Sequence, residues 1–427
     1  MKVQIVRKRA EFEESMVVKM NYANEKKVTE MSDIKSRKKI VHLPKEQWQG
    51  KDIPLGYTTT EYYDVKVSDK DNGFVISMDK KPFENPVSHT PEEYDFPDKL
   101  YADYWEQACA WGIVENGELL AVIETAVEEW SNRLRVTELW ITPALQGLGY
   151  GHALMEIAKE RARLERRRAI ILETQSCNVH AIGFYRHEGF QVIGMDTCCY
   201  TNRDIERREV RIEMGYKMPK KERLAREDVV IRQEKPEDYH EVERMTQEAF
   251  WNKHVPGCDE HYMVHVLRES QDYLPELSRI AEVNGEIVGT IMYAKAKVKN
   301  EKEVYDIVSF GPLCIKPEWQ GCGVGEMLLQ ETMALAAKKG YAGIVIYGEP
   351  DYYPRVGFQT CDHFGITTPD GKNFDAFMGI ELIKGAMKDI HGKFYESDVF
   401  DKLYKENVEA FNKEFEPLDK QYYPCQW

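Results

Sequence analysis

One thirteen-residue pattern occurs twice in this chain. Leu139–Gly151 reads LWITPALQGLGYG and Leu313–Gly325 reads LCIKPEWQGCGVG. Seven of the thirteen positions are identical in register: Leu, Ile, Pro, Gln and three Gly. Each copy is a short apolar run that meets a proline, then a Q-G-x-G-x-G loop, then a stretch with helical periodicity. The helices are predicted over His152–Glu165 and Glu326–Lys339. A glycine loop between a strand and a helix leaves backbone N–H groups free at a helix N-terminus, which suits a phosphate or pyrophosphate. Gly147, Leu148, Gly149, Tyr150, Gly151 and His152 form the first candidate cradle. Gly321, Cys322, Gly323, Val324, Gly325 and Glu326 form the second.

The elements around the two loops recur in one order: hairpin, strand, glycine loop, helix, strand. The expected fold class is therefore α/β (α+β), with two tandem units that arose by duplication or by fusion of two relatives. In the first unit Ala110–Val114 and Glu118–Glu124 read as strands joined through Asn116-Gly117, a strong hairpin signal. Leu134–Ile141 leads into the loop, Ala169–Leu172 is a further strand, and Asn178–His187 is a second helix closed by Gly189. In the second unit the hairpin runs through Asn284-Gly285, and Val304–Ile315 leads into the loop. The expected domains are a charged arm over 1–45, a first unit over 46–218, a linker over 219–227, a second unit over 228–390 and a helical tail over 391–427. Residues 46–98 predict short strands and long loops, and Asp98–Gln107 predicts a helix. In the tail, Phe400, Leu403, Tyr404, Val408 and Phe411 fall at helical spacing within Ser397–Phe415, on a helix expected to dock on its own chain.

Composition narrows the function. The net charge of −15 disfavours nucleic acid as a partner and suits a cationic, amine-bearing substrate. No apolar run approaches a membrane span and no secretory leader is evident, so a cytoplasmic protein without a membrane partner is expected. Nine scattered cysteines without CxxC spacing argue for reduced, mostly buried thiols and against a metal site. Asp259, Glu260, His261 and His265 read as a polar helix face rather than as ligands.

The loops are not dinucleotide sites, because G-x-G-x-x-G is required and His152 or Glu326 stands where the third glycine would fall. Neither loop has the Gly-Lys-Ser/Thr of a P-loop. Strand, Q-x-x-G-x-G loop, helix, strand and a Tyr-x-x-x-Gly-Phe segment together resemble the GNAT superfamily of N-acetyltransferases. The first unit carries NVHAIGFYRHEGF over Asn178–Phe190 and, more narrowly, LETQSCN over Leu172–Asn178, similar to streptothricin acetyltransferases. The second carries GEPDYYPRVGF over Gly348–Phe358, similar to other GNAT N-acetyltransferases.

The resemblance implies that each unit is a mixed, mostly antiparallel sheet flanked by helices, and it implies transfer of an acetyl group from acetyl-CoA to a primary amine by direct attack. The implied acceptor is a small cationic molecule, such as a streptothricin-like antibiotic, with a protein or peptide amine as the alternative. Tyr185 is implied as the acid that protonates the leaving thiolate, and Glu173 or Glu138 as the general base. Leu139, Trp140 and Ile141 would align the pantetheine arm, the first cradle would hold the pyrophosphate, and Asn178 would hydrogen-bond the cofactor. In the second unit Leu313, Cys314 and Ile315, the second cradle and Tyr353 take the same roles. The strand Ser309–Ile315 carries no carboxylate, and no residue matches Asn178. A second unit that binds acetyl-CoA without chemistry is therefore an alternative. Trp251-Asn252 and Pro256-Gly257-Cys258 resemble segments of the second unit's relatives, which implies a part in shaping that unit's substrate mouth. Either a monomer or a homodimer is compatible with two such units in one chain.

Overall fold

The computed structural model describes residues 38–90 and 98–426. Most of the charged arm, with Lys35 of its basic cluster, lies outside them. Two compact units divide the chain: one comprises residues up to Ala162 with Arg167–Tyr216, the other Arg163–Arg166 with Lys217 onward. Among the described residues no helix is long and apolar enough to cross a membrane.

The first unit is a seven-stranded sheet ordered β1-β4-β5-β6-β7-β9-β8. Its strands are β1 (Val41–Leu43), β4 (Cys109–Glu115), β5 (Glu118–Glu128), β6 (Arg133–Ile141), β7 (Ala169–Gln175), β8 (Gln191–Asp196) and β9 (Arg211–Lys217). Asn116 and Gly117 turn the β4–β5 hairpin with φ of 53° and 84°, the doubly left-handed geometry that Asn-Gly supplies. Helix α1 (Tyr150–Leu164) buries Leu154, Ile157, Ala158 and Ala162, as its periodicity predicts. It also buries Arg161, whose guanidinium donates to the Thr125 carbonyl at 2.9 Å, the Thr125 hydroxyl at 2.8 Å and the Gln107 carbonyl at 2.9 Å. Helix α2 (Val179–His187) follows β7, and Gly189 ends it at φ 92°.

Two expectations for the N-terminal part fail. Asp98–Gln107 is a run of turns, not a helix. Tyr101 and Gln107 take left-handed φ of 57° and 48°, and Tyr101 is drawn into the core by hydrogen bonds with the Leu43 carbonyl and the Ala110 N–H. Residues 57–89 form one long ribbon, β2 (Tyr57–Lys70) with β3 (Gly73–His89), not short strands. Its alternation is masked by charge, yet the register pairs Val65 with Met78 and Val67 with Ile76 on one face.

The second unit repeats the plan with the order β10-β11-β12-β13-β14-β17-β15, and β18 also pairs with β12 and β16. Its strands are β10 (Val230–Arg232), β11 (Arg279–Val283), β12 (Glu286–Lys299), β13 (Val304–Ile315), β14 (Gly343–Tyr347), β15 (Gln359–Thr360), β16 (Ile366–Thr367), β17 (Phe377–Glu381) and β18 (Gly392–Tyr395). Helices α3 (Tyr239–Phe250) and α4 (Glu260–Leu267) precede the β11–β12 hairpin, and α5 (Val324–Lys338) follows the glycine loop. The linker segment packs on that loop: Leu224 N–H donates to the Cys322 carbonyl at 2.9 Å.

The tail is helical only over α6 (Lys405–Phe411), with 3-10 turns on either side, not throughout Ser397–Phe415. Phe411 and Phe415 are buried, while Tyr404 stays exposed. Within the second unit the Phe411 ring stacks on His261 at 5.5 Å and meets His265 at 4.6 Å. His261 is thus a core residue, not part of a polar face.

Candidate active sites

In both units the strand before the glycine loop separates from its parallel neighbour. β6 pairs with β7 only at Arg133–Arg135, and β13 pairs with β14 only at Val308. Beyond those points Leu139–Ile141 and Leu313–Ile315 keep ladder partners on one side alone. The glutamine that opens each loop secures it to that strand's end. Gln146 Nε2 donates to the Ile141 carbonyl at 3.0 Å, and Gln320 Nε2 to the Ile315 carbonyl at 2.9 Å. The loops share a backbone course, with φ of 74° and 85° at Gly147 and Gly149 and of 82° and 90° at Gly321 and Gly323. That left-handed course suits glycine and leads the free N–H groups into the first turn of α1 or α5. A Cβ at Gly151 would lie 3.1 Å from the Phe184 ring, and one at Gly325 would lie 2.9 Å from the Tyr352 hydroxyl.

That last contact aligns the two units where their spacing differs, since Gln146 to Tyr185 spans 39 residues and Gln320 to Tyr353 spans 33. Phe184 and Tyr352 occupy one role, and the next residue in each case is the tyrosine singled out from sequence. Phe190 N–H donates to the Tyr185 carbonyl at 2.9 Å and Phe358 N–H to the Tyr353 carbonyl at 3.2 Å. The matching ring pairs lie 6.1 and 5.4 Å apart. Burial raises the proton affinity of both phenols, with Glu138 adding to it at Tyr185, and Tyr352 and Glu349 at Tyr353. Both stay protonated at neutral pH.

The first unit gathers acids beside Tyr185. Glu138 on β6 faces Glu124 on β5 in register. Burial, and then the charges of Asp98, Glu124 and Glu173, push the Glu138 carboxyl well above the usual carboxylate range. Among the described residues none forms an ion pair with it. Glu173 on β7 is placed differently: Arg211 lies 2.5 Å from its Oε2 and Arg135 3.3 Å. Burial raises its proton affinity too, opposed by those two guanidinium groups. Asn178 caps α2, its side chain accepting from Ala181 N–H at 3.1 Å, so its Oδ1 is already engaged. His152 Nδ1 lies 3.0 Å from Glu188, which Lys159 also reaches at 2.9 Å. His152, Glu156 and Glu188 cluster as metal ligands could, but the Lys159 ammonium bonds both carboxylates.

Sequence reasoning passed over Glu124, Asp98 and the arginine pair. The signal for Glu124 was present: it is the one charged residue in the apolar run Leu119–Val127. In the second unit the positions of Glu124 and Glu138 hold Met292 and Pro312, because Ile291 pairs with Leu313 as Ile123 pairs with Leu139. Its shifted groups include one in the turns before α4 and the first residue of that helix. Burial, and then Lys253, bring His254 down to about 4, with Glu349 acting in the other direction. Burial and Asp259 raise Glu260 to about 7.

Comparison with known proteins agrees with this geometry. A model of the acetyltransferase (GNAT) family matches residues 74–190, and a model of the acetyltransferase (GNAT) domain matches residues 275–360. The uncharacterized N-acetyltransferase YjhQ of Escherichia coli is 33% identical over 99 residues, covering 23% of this chain and 55% of that protein's length. A streptothricin acetyltransferase of Escherichia coli is 28% identical over 165 residues, covering 39% of this chain and 87% of its own. The crystal structure of Escherichia coli YhbS in complex with CoA is 24% identical, covering 42% of this chain and 94% of its own, with a TM-score of 0.37. The chain thus carries two domains of the GNAT acetyltransferase family in tandem.

Proposed function

We propose that the first unit transfers acetyl from acetyl-CoA to a primary amine of a small cationic molecule, by direct attack with both substrates bound. The observation that carries this reading is a half-buried carboxyl group, Glu138, with no ion-pair partner among the described residues, beside the protonated phenol of Tyr185 at the open edge of β6. The free N–H groups of Gly147–His152 take the pyrophosphate. The unpartnered edge of Leu139–Ile141 aligns the pantetheine arm and stabilises the oxyanion. Glu138 accepts a proton from the substrate ammonium, which frees the amine lone pair to attack the thioester carbonyl. As the C–S bond breaks, Tyr185 donates its proton to the departing thiolate.

The acceptor's charge follows from its surroundings. The charges of Asp98, Glu124 and Glu173 all act on Glu138, and acids so grouped draw in a polycation. The streptothricin acetyltransferase among the relatives supports an antibiotic of that kind.

For the second unit, Met292 and Pro312 at the acid positions favour binding of acetyl-CoA without chemistry. A thiol-release assay over cationic antibiotics, polyamines and peptide N-termini tests both readings. Release with the cations, lost in Tyr185→Phe and kept in Tyr353→Phe, is the expected result. Silence with every amine would overturn the reaction, and release with peptide N-termini alone would overturn the small acceptor.

A further inference from the structure

Glu124 is completely buried, yet the reaction above gives it no part. A carboxylate in the middle of a sheet is costly unless it is hydrogen-bonded. Here two donors meet it: Tyr101 N–H at 2.6 Å and the Thr137 hydroxyl at 2.8 Å. The second donor exists because of a bulge. Glu124 pairs with Glu138 but Thr125 pairs with Val136, so Thr137 is an extra residue on β6. A bulge re-aims the side chains beside it, and this one brings Thr137 onto Glu124 while Glu138 stands directly across the ladder.

We propose that Glu124 is a positioning residue for the acetyl transfer: held as a carboxylate by Tyr101 and Thr137, it makes Glu138 a stronger proton acceptor. This inference rests on Glu138 being the base. Directly opposed residues of an antiparallel pair lie roughly 5 Å apart at Cβ. Two carboxylates at that separation do not both ionise freely. Burial raises the proton affinity of Glu124, but both donors oppose that and favour its ionised form, whereas Glu138 has no donor among the described residues, so of the two Glu138 holds a proton more tightly. Asp98 and Tyr104 from the turns before β4, Glu173 from β7 and Tyr185 from α2 also face Glu138 or share its field. Toward Glu124 itself stand Lys45 and, from α1, Arg161. Of the acids facing Glu138, Glu124 alone pairs with it directly across the ladder.

The test is the pH dependence of kcat/KM from thiol release, in wild type, Glu124→Gln and Thr137→Val. Glu124→Gln is expected to move the acid limb down by about one pH unit. Thr137→Val, which weakens the hold on the charge, moves it the same way by less. An acid limb that stays in place in both variants, or moves up, overturns the inference. Should Glu124→Gln fail to fold, Thr137→Val decides alone. The carbon-13 titration of the Glu138 side-chain carboxyl, identified by its loss in Glu138→Gln, separates this inference from the reaction. A midpoint that falls in the variants supports it even if no amine is acetylated, and an unmoved midpoint overturns it even if turnover is fast.

Discussion

Replacing Glu138 by glutamine should cost activity and increase stability in one step. The carboxylate sits among Asp98, Glu124 and Glu173 with no ion-pair partner among the described residues, so its ionised form is disfavoured in the fold. A folded-state proton affinity above the unfolded one contributes stability that is complete below the unfolded value, near pH 4, and is lost as pH rises through the folded value. As pH rises through the folded value, the wild-type domain therefore takes on the cost of an unpaired, half-buried charge, on the order of 1 kcal/mol. Glutamine keeps the shape, removes the charge and offers an N–H to Glu124. For a domain of this size 1 kcal/mol corresponds to roughly 2–4 °C in Tm. Thermal unfolding of both proteins should give a Tm difference of that size at pH 8 that shrinks toward zero near pH 4. Thiol release at neutral pH should fall by about 100-fold or more, the range general-base catalysis supplies. A variant that keeps its rate removes Glu138 from the chemistry. A Tm that falls, or a difference that grows on acidification, would refute the electrostatic account of the site.

Tyr185→Phe should lower kcat about 100-fold with little change in Tm, because no described residue hydrogen-bonds its hydroxyl; kcat and melting measured on one preparation check this. Glu173→Gln should instead destabilise by about 1 kcal/mol, since Arg211 and Arg135 lose a charged acceptor, and should leave more activity than Glu138→Gln. Gly149→Ala and Gly323→Ala each force a side chain into left-handed backbone, at φ of 85° and 90°. A strain of about 1–2 kcal/mol should weaken acetyl-CoA roughly tenfold at that cradle alone. Calorimetry that finds both sites intact in either variant would count against the cradles.

The recurring pattern made the sheet strands, both Asn-Gly hairpins and the two long loop helices legible, because each rests on local chemistry: periodicity, turn residues, a glycine stop. What escaped depended on distant partners. Residues 98–107 have helical composition, but Tyr101 gains more from burial against Leu43 and Ala110 than from a helical turn. The tail's apolar spacing was read as one helix, whereas only Phe411 and Phe415 find aromatic partners, His261 and His265 among them. At the site, Glu138 and Tyr185 could be named from their places beside the loop. The choice between Glu138 and Glu173 could not, because it turns on arginines 38 residues before and after Glu173 in the chain. For Glu124 the lone charge in an apolar run was visible, but its donors were not: one comes from a turn before β4 and the other from a bulge on the next strand.

Comparing the copies separates what the fold requires from what the chemistry requires. Both keep the glutamine that ties loop to strand, the left-handed glycines, the aromatic pair packed on the last glycine and the Phe that closes on the tyrosine. Each of these holds backbone in place, and each recurs although the Gln-to-Tyr spacing differs by six residues. The acid pair does not recur. Met292 lies in an apolar cluster with Met245, Val264 and Leu267, so the second unit carries no ionisable group at that point in its sheet. A base for the second unit would have to come from outside the sheet, from the loop residues Glu349 and His254 or from Glu260 at the start of α4. Side chains on a loop are held less firmly than side chains opposed across a bulged ladder. Under the proposed function the first unit accepts the destabilising acid pair that general-base chemistry needs, and the second, without that pair, keeps the elements that both copies share.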